Sequence, residues 1–284
     1  MFGMTSITER AYLLWYARNE FADSGAIVEL GCWLGSTTMP LAMGLAENPK
    51  VNGPRPRIYS YDNFRWDTKL EPLVAGTSLA GRFRDGDSFQ HEFESRVARW
   101  RESIIVCAGD LAVGQWEHGP IEFLLVDAMK SWALANRTLD RFYPAMIPGR
   151  SLLFHQDFAH WFTPWIHLTH FRLRRYFQMV YEVPRSSSVV FRLREAIPRE
   201  LTSTQYSYAM FDNDEIDAAF DYSMSLVSSD KHASIAAAKV MCLLQSGDLD
   251  RAERELARCR TQGLDFTNDL SFVEGRMAGL RPVA

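Results

Sequence analysis

Residues whose types and spacing could do chemistry gather first in the stretch "AIVELGCWLGSTTMPLAMGL", residues 26–45. A short apolar run ends in Glu29, a turn is bracketed by Gly31 and Gly35, and a helical pattern follows. Glycines let the backbone turn sharply and let a ligand come close, and the helix N-terminus behind them offers unpaired N–H groups. The dinucleotide fingerprint G-x-G-x-x-G sets a pyrophosphate against such a terminus. Here the middle glycine is missing, the bulky Trp33 stands in the turn, and Glu29 adds negative charge. The turn suits a cation or an amino group better than a phosphate. Further along, Asp127, His155 and Asp157 close two other apolar runs, and a histidine with its ordinary pKa near ~6.5 suits proton transfer.

The elements that must position these residues recur at regular intervals. Short apolar runs predict strands at 26–30, 57–62, 103–109, 121–128, 151–157, 177–183 and 188–194. Helical patterns at 36–47, 87–101, 131–144 and 163–176 separate the first five. Continuous apolar runs are expected of parallel strands buried on both faces, and strand alternating with helix predicts an α/β, doubly wound, mostly parallel seven-stranded sheet. The last two strands are joined by "PRSSS" (184–188), which predicts an antiparallel edge hairpin. Ahead of the sheet, Ser6 followed by Glu9 reads as a capping box opening an amphipathic helix. Residues 65–86 fit no clear element and have the length and glycine content of a lid or substrate loop. After about residue 196 the pattern turns helical. Residues 232–264 read as two helices around "SGDLD", resembling one tetratricopeptide-type hairpin. A lone copy cannot form a solenoid, so a helical extension packed on the main domain or on a partner subunit is expected.

In order along the chain, "ELGCWLG", "YSYDNF", "CAGDL", "IEFLLVDAMKSW" and "YPAMIPGRSLLFHQDF" resemble the motifs of the class I S-adenosylmethionine-dependent methyltransferases. The likeness covers residues 26–160 or so. It implies a Rossmann-like methyltransferase fold over 1–196, with 197–284 as the helical extension, and S-adenosylmethionine as cofactor. It also implies that Glu29, Gly31 and Gly35, with Cys32 and Ser36 between and beside them, hold the cofactor. By the same resemblance Asp62 and its neighbour Asn63 face the ribose hydroxyls, and Gly109 and Asp110 the adenine. Acids at the strand ends would keep the crevice negative for a sulfonium.

Within that family the later motifs are most similar to the macrocin-type sugar and macrolide O-methyltransferases, whose fourth and fifth strands end in aspartates that hold magnesium. Asp127 matches the first of these, but "DGDH" has become "DAMK", and His155 and Gln156 stand where acids are expected, with Asp157 one position on. Two readings stay open. Asp127 and Asp157 hold a magnesium ion, or His155 or Asp127 acts as general base without metal, with Asp157 beside them. Lys130 would repel a divalent cation if it pointed inward. Trp161 and Trp165 could wall an acceptor pocket or serve as core, and His167 and His170 are expected to take a packing or surface role.

Composition narrows the partners. The 284 residues carry a formal net charge of −4, which gives no general attraction to nucleic acid or acidic membranes. "FRLRRYF" (171–177) groups Arg172, Arg174 and Arg175, most simply as a solvated helix face. The four cysteines lack C-x-x-C spacing and read as free thiols of a reducing compartment. With no signal-peptide pattern and no long apolar run, a cytoplasmic protein is expected. Its expected partners are a small-molecule hydroxyl acceptor and a second copy of itself through the C-terminal helices, with neither membrane nor nucleic acid. Two further readings are a non-catalytic methyltransferase-like binding protein and an NAD-dependent oxidoreductase. The latter lacks any recognisable Tyr-x-x-x-Lys set.

Overall fold

The structure, a computed structural model, describes residues 4–53 and 55–280. The expected domain spans include residues 1–3, 54 and 281–284, which lie outside the described residues. Seven strands form one sheet: β1 (Ala26–Leu30), β2 (Ile58–Asp62), β3 (Ile104–Ala108), β4 (Ile121–Val126), β5 (Leu152–His155), β6 (Phe177–Glu182) and β7 (Val189–Leu193). The order across the sheet is β3-β2-β1-β4-β5-β7-β6. β1 and β4, at the centre, are buried at every position, as expected of mostly apolar strands, with Glu29 and Glu122 as their buried charged members.

β7 alone runs against the others. It lies between β5 and β6 and pairs antiparallel with both. The antiparallel strand is therefore interior and β6 is the edge, a refinement of the expected edge hairpin. Composition accounts for it: β7 buries Val189, Val190, Phe191 and Leu193, whereas β6 carries Gln178 and Glu182. Polar and charged residues blunt an exposed edge.

Helices cover both faces. On one side lie α1 (Ile7–Trp15), α2 (Thr38–Ala46), the short α3 (Glu71–Val74) and α4 (Gln90–Val97). The capping box of α1 forms as expected: Glu9 N–H donates to Ser6 Oγ at 3.1 Å and Ser6 N–H to Glu9 Oε2 at 2.6 Å. α1 and α2 cross closely at Gly44, where a Cβ would stand 2.5 Å from the Leu14 carbonyl oxygen and 2.7 Å from Ala17 Cβ. Residues 65–86 are no free lid. Trp66, Val74, Leu79 and Phe83 are buried in this core, and Trp66 N–H and Gly86 N–H close the loop's neck on Asp87 O and Trp66 O, each at 2.8 Å.

The other face is covered by α5 (Trp132–Arg141), α6 (Pro164–Leu173), the short α7 (Arg199–Ser203) and α8 (Asn213–Ser225). α9 (His232–Ser246) and α10 (Leu249–Thr261) form the hairpin expected around "SGDLD", and α11 (Asp269–Ala278) packs on them. Gly247 closes α9 in the left-handed region at φ 86°. α9 is buried continuously from Ile235 to Leu244, because Ile235, Ala238 and Cys242 join the core beneath the sheet while Val240, Met241 and Leu243 join that of α10 and α11. A helix apolar all round must be covered all round. Its one buried cation, Lys239, is paired with Asp217 at 2.7 Å and Glu255 at 3.2 Å. Arg172 pairs with Glu215 and Arg174 stacks on Phe171, so the arginine cluster serves local packing. Among the described residues no helix is long and apolar enough to cross a membrane.

Candidate functional site

The residues singled out from the sequence meet at the carboxyl ends of β3, β2, β1, β4 and β5. One row of backbone hydrogen bonds, just beyond the strands, joins them side by side. Gly109 N–H donates to Asp62 O at 2.9 Å, Gly31 N–H to Tyr61 O at 2.8 Å, Asp127 N–H to Leu30 O at 2.9 Å and Gln156 N–H to Val126 O at 3.1 Å. Open α/β sheets bind ligands outside this edge.

The turn after β1 is tightly built. Gly31 has φ 93°, and a Cβ there would stand 3.2 Å from the Asp127 carbonyl carbon. Trp33 adopts φ 40°, Phe64 φ 50° and Arg185 φ 54°, so three of the four non-glycine residues described with positive φ stand beside the site. Such backbone persists only where its surroundings over-determine it. At Trp33 the surroundings are the Asp62 carboxylate, which accepts from Trp33 N–H through Oδ2 and from Phe64 N–H through Oδ1, both at 2.8 Å. Burial pushes the Asp62 pKa up, against the pull of these backbone donors.

Glu29 does not face the crevice. Fully buried beneath the turn, it accepts from Thr37 Oγ1, from Thr38 Oγ1 at 2.6 Å and from Ser60 Oγ at 2.9 Å. It ties the start of α2 to β1 and β2, so its expected ligand contact becomes a role in shaping the turn. Cys32 and Ser36 are buried in the turn as well, and Ser36 Oγ accepts from Thr5 Oγ1 at 2.7 Å. Met4 and Thr5 thereby lie over the glycine turn and leave a space of about 10 Å³ between them, Gly31, Trp33, Asp127 and Gln156. Asn63, Gly109 and Asp110 are exposed on the neighbouring ends of β2 and β3. Asn63 Oδ1 accepts from Arg65 N–H at 2.9 Å and Asp110 Oδ1 from Ala112 N–H at 2.8 Å.

Beside the turn opens a cavity of about 390 Å³, with Asp127, Lys130, Gln156, Asp157 and His160 on one wall and Ser6, Glu9 and Arg185 among those opposite. Lys130 Nζ donates to Asp127 Oδ1 at 3.1 Å and to Asp157 Oδ2. Burial pushes Asp127 up, Lys130 pulls it back and Asp157 adds to the rise. Burial works against the Lys130 charge too, but the two carboxylates outweigh it and hold the ammonium above its ordinary value. Gln156 is 6% exposed, and its Oε1 has no hydrogen-bond donor. A buried amide oxygen without a donor is uncommon and marks a place for one. A larger cavity, about 480 Å³, lies across α1 against β5–β7, lined by Tyr12, Trp15 and Tyr181 among others. It holds none of the strand-end acids, and we assign the site to the smaller one.

His155 is not in the crevice, which corrects the reading of it as a general base. Its ring lies 2% exposed beneath the sheet, 3.3 Å from Tyr143 Oη and against Phe158, Phe191 and His170. Burial holds its pKa down at about 4. Strand parity is the reason: Leu152 and Phe154 face the core of α1 and α2, so Leu153 and His155 face that of α5 and α6. His167 and His170 are buried beside it, as packing residues. Trp165 is core, donating to Met129 O at 2.7 Å, whereas Trp161 packs at a tilt against Phe272 of α11. Lys130 and Gln156 are the members whose roles the sequence did not assign.

The donor set does not fit a divalent metal. An ammonium occupies the space between Asp127 and Asp157, and among the described residues no three His, Cys, Asp or Glu side chains are placed to hold an ion.

The seven-stranded sheet with its antiparallel strand between β5 and β6 is a Rossmann-like methyltransferase fold, in agreement with the class I methyltransferase resemblance of the sequence. No protein-family model matches the chain, and no curated protein matches it. Among solved structures it is similar to the calicheamicin methyltransferase CalS11, with 14% identity over 65% of this chain and 78% of that one and a TM-score of 0.47. It is also similar to the CcbJ methyltransferase from Streptomyces caelestis (11% identity, 68% and 92% covered, TM-score 0.41). A third is an S-adenosylmethionine-dependent O-methyltransferase from Thermotoga maritima (11% identity, 68% and 67% covered, TM-score 0.39). At these identities and scores the fold assignment rests on the strand order itself.

Proposed function

We propose that the chain is an S-adenosylmethionine-dependent methyltransferase that methylates a hydroxyl group of a small molecule. The observation that carries this reading is the lateral row of hydrogen bonds that sets the glycine turn, Asp62, Gly109, Asp127 and Gln156 along one edge of a methyltransferase-type sheet.

The residues present suit the cofactor. The orphaned Oε1 of Gln156 beside the glycine turn matches an ammonium donor, and the strand-end acids suit a sulfonium. Gly31 and Gln156 would hold the amino-acid end, Asp62 and Asn63 the ribose, and Gly109 and Asp110 the base. The bound cofactor supplies a methyl group activated as an electrophile on a sulfonium. The chain's part is to align an acceptor oxygen with that carbon in the cavity of about 390 Å³. Asp127, pushed up by burial, is the group placed to take the hydroxyl proton. Ligand entry requires Met4 and Thr5 to leave the turn, since they nearly close it. Cytoplasmic location belongs to the same reading.

Calorimetric titration with S-adenosylhomocysteine tests the proposal. Micromolar binding is expected. No heat of binding at millimolar ligand would overturn it.

A further inference from the structure

The cation at the heart of the cavity belongs to the chain itself. We propose that Lys130 is a built-in substitute for a divalent metal ion, holding Asp127 and Asp157 together and presenting its remaining donor to an oxygen of the acceptor.

Three features fix it there. Lys130 ends the short segment Asp127-Ala128-Met129-Lys130, which folds back so that Lys130 N–H donates to Ala128 O at 2.8 Å. The segment is held from below, because the Met129 side chain is 1% exposed and its carbonyl accepts from Trp165 Nε1 at 2.7 Å. On the facing side Asp157 is 7% exposed, and its carbonyl accepts from Thr163 Oγ1 at 2.9 Å. Both aspartates are thus presented by anchored backbone, and the ammonium bridges them.

A metal ion bound to carboxylate oxygens sits about 2.0–2.6 Å from them, and the lysine nitrogen stands in that space. The two kinds of cation are therefore mutually exclusive here. They also differ in use. A divalent ion holds several oxygens at once, whereas an ammonium has three donors. Two are committed to the aspartates, which leaves one for the acceptor. Arg185 lines the same cavity from the β6–β7 turn, and Glu9 adds a further carboxylate. The acceptor half of the inference rests on the methyltransferase reading; the exclusion of metal by Lys130 does not.

The test is direct Mn²⁺ binding, followed by electron paramagnetic resonance on the full chain. Wild type is expected to bind no Mn²⁺ at millimolar concentration. Lys130→Ala frees two converging carboxylates and is expected to bind it at least ~10-fold more tightly than wild type. Asp127→Asn in that background is expected to abolish the gain. Lys130→Ser serves the same purpose if the alanine variant fails to fold. Wild-type binding that disappears in Asp127→Asn overturns the proposal, and so does a folded Lys130→Ala or Lys130→Ser protein that gains no Mn²⁺. S-adenosylhomocysteine titration of the same samples reads the methyltransferase proposal separately, so either can fail alone.

Discussion

The backbone N–H of Trp33 donates to Asp62 Oδ2 across 2.8 Å, joining the left-handed residue of the glycine turn to the end of the neighbouring strand. One carboxylate therefore holds two segments at once: the turn after β1 through Trp33 N–H and the chain leaving β2 through Phe64 N–H.

Asp62→Ala removes both bonds. The expected result is S-adenosylhomocysteine binding weakened by ~10-fold or more, since a charge-assisted hydrogen bond is worth roughly 1.5–3 kcal/mol. Calorimetry on wild type and variant checks it. Unchanged affinity in a folded variant would remove Asp62 from the site.

The N-terminal segment is expected to compete with the ligand. Thr5→Ala deletes the 2.7 Å bond to Ser36 that fastens Met4 and Thr5 over the turn. A net hydrogen bond is worth about 1 kcal/mol, so S-adenosylhomocysteine association should quicken by roughly 5-fold, measured by stopped-flow tryptophan fluorescence. Slower association would mean that Thr5 belongs to the binding surface instead.

Stability is expected to fall in mild acid. Burial holds His155 at about 4 and His167 at about 3, both below the ordinary 6.5, and His170 well below it. As pH falls through 6.5 the unfolded chain takes up these protons first, so stability present above that value is lost progressively down to about 4 and 3. His155 alone contributes on the order of 3 kcal/mol to this loss. His167, whose two ring nitrogens have no partner, sits against Phe158 and Phe220. His167→Leu should therefore flatten the profile, read as urea midpoints near neutrality and at about pH 5. An unaltered slope would place the acid sensitivity elsewhere.

Gly44→Ala sets two effects against each other. Alanine in a helix interior is favoured over glycine by about 1 kcal/mol. The new methyl, however, would meet the backbone of α1 at 2.5 Å, and overpacking of this kind costs roughly 1–3 kcal/mol. Net destabilisation is expected, seen as a lower Tm. A higher Tm would show that α1 moves aside freely.

Much of this was legible because buried parallel strands leave short, mostly apolar runs: β1 lies at 26–30 as read, and the capping box at Ser6 and Glu9 formed. The hairpin of α9 and α10 was legible from the glycine and aspartate between its helices. What escaped depends on partners distant in sequence. β7's place between β5 and β6 follows from which strand can be buried on both edges, and only the polar residues of β6 hinted at it. His155 was misplaced because its position at a strand end outweighed its parity with Leu153, which points it into the core. Glu29 was read as a ligand contact because hydroxyls from α2 and β2 surround it only after folding. Residues 65–86 looked open because Trp66, Val74, Leu79 and Phe83 follow no regular period, yet they bury together.

The insertion of β7 also orders events during synthesis. Among the described residues β6 joins the sheet through β7 alone. A ribosome adding roughly 5–20 residues per second therefore releases β6 before any strand exists to receive it. Until β7 emerges, β5 keeps a bare edge, and the β6–β7 turn that carries Arg185 to the cavity cannot settle. Completion of the cavity rim thus waits on one late strand, and a nascent chain paused just short of it exposes a sheet edge open to mispairing.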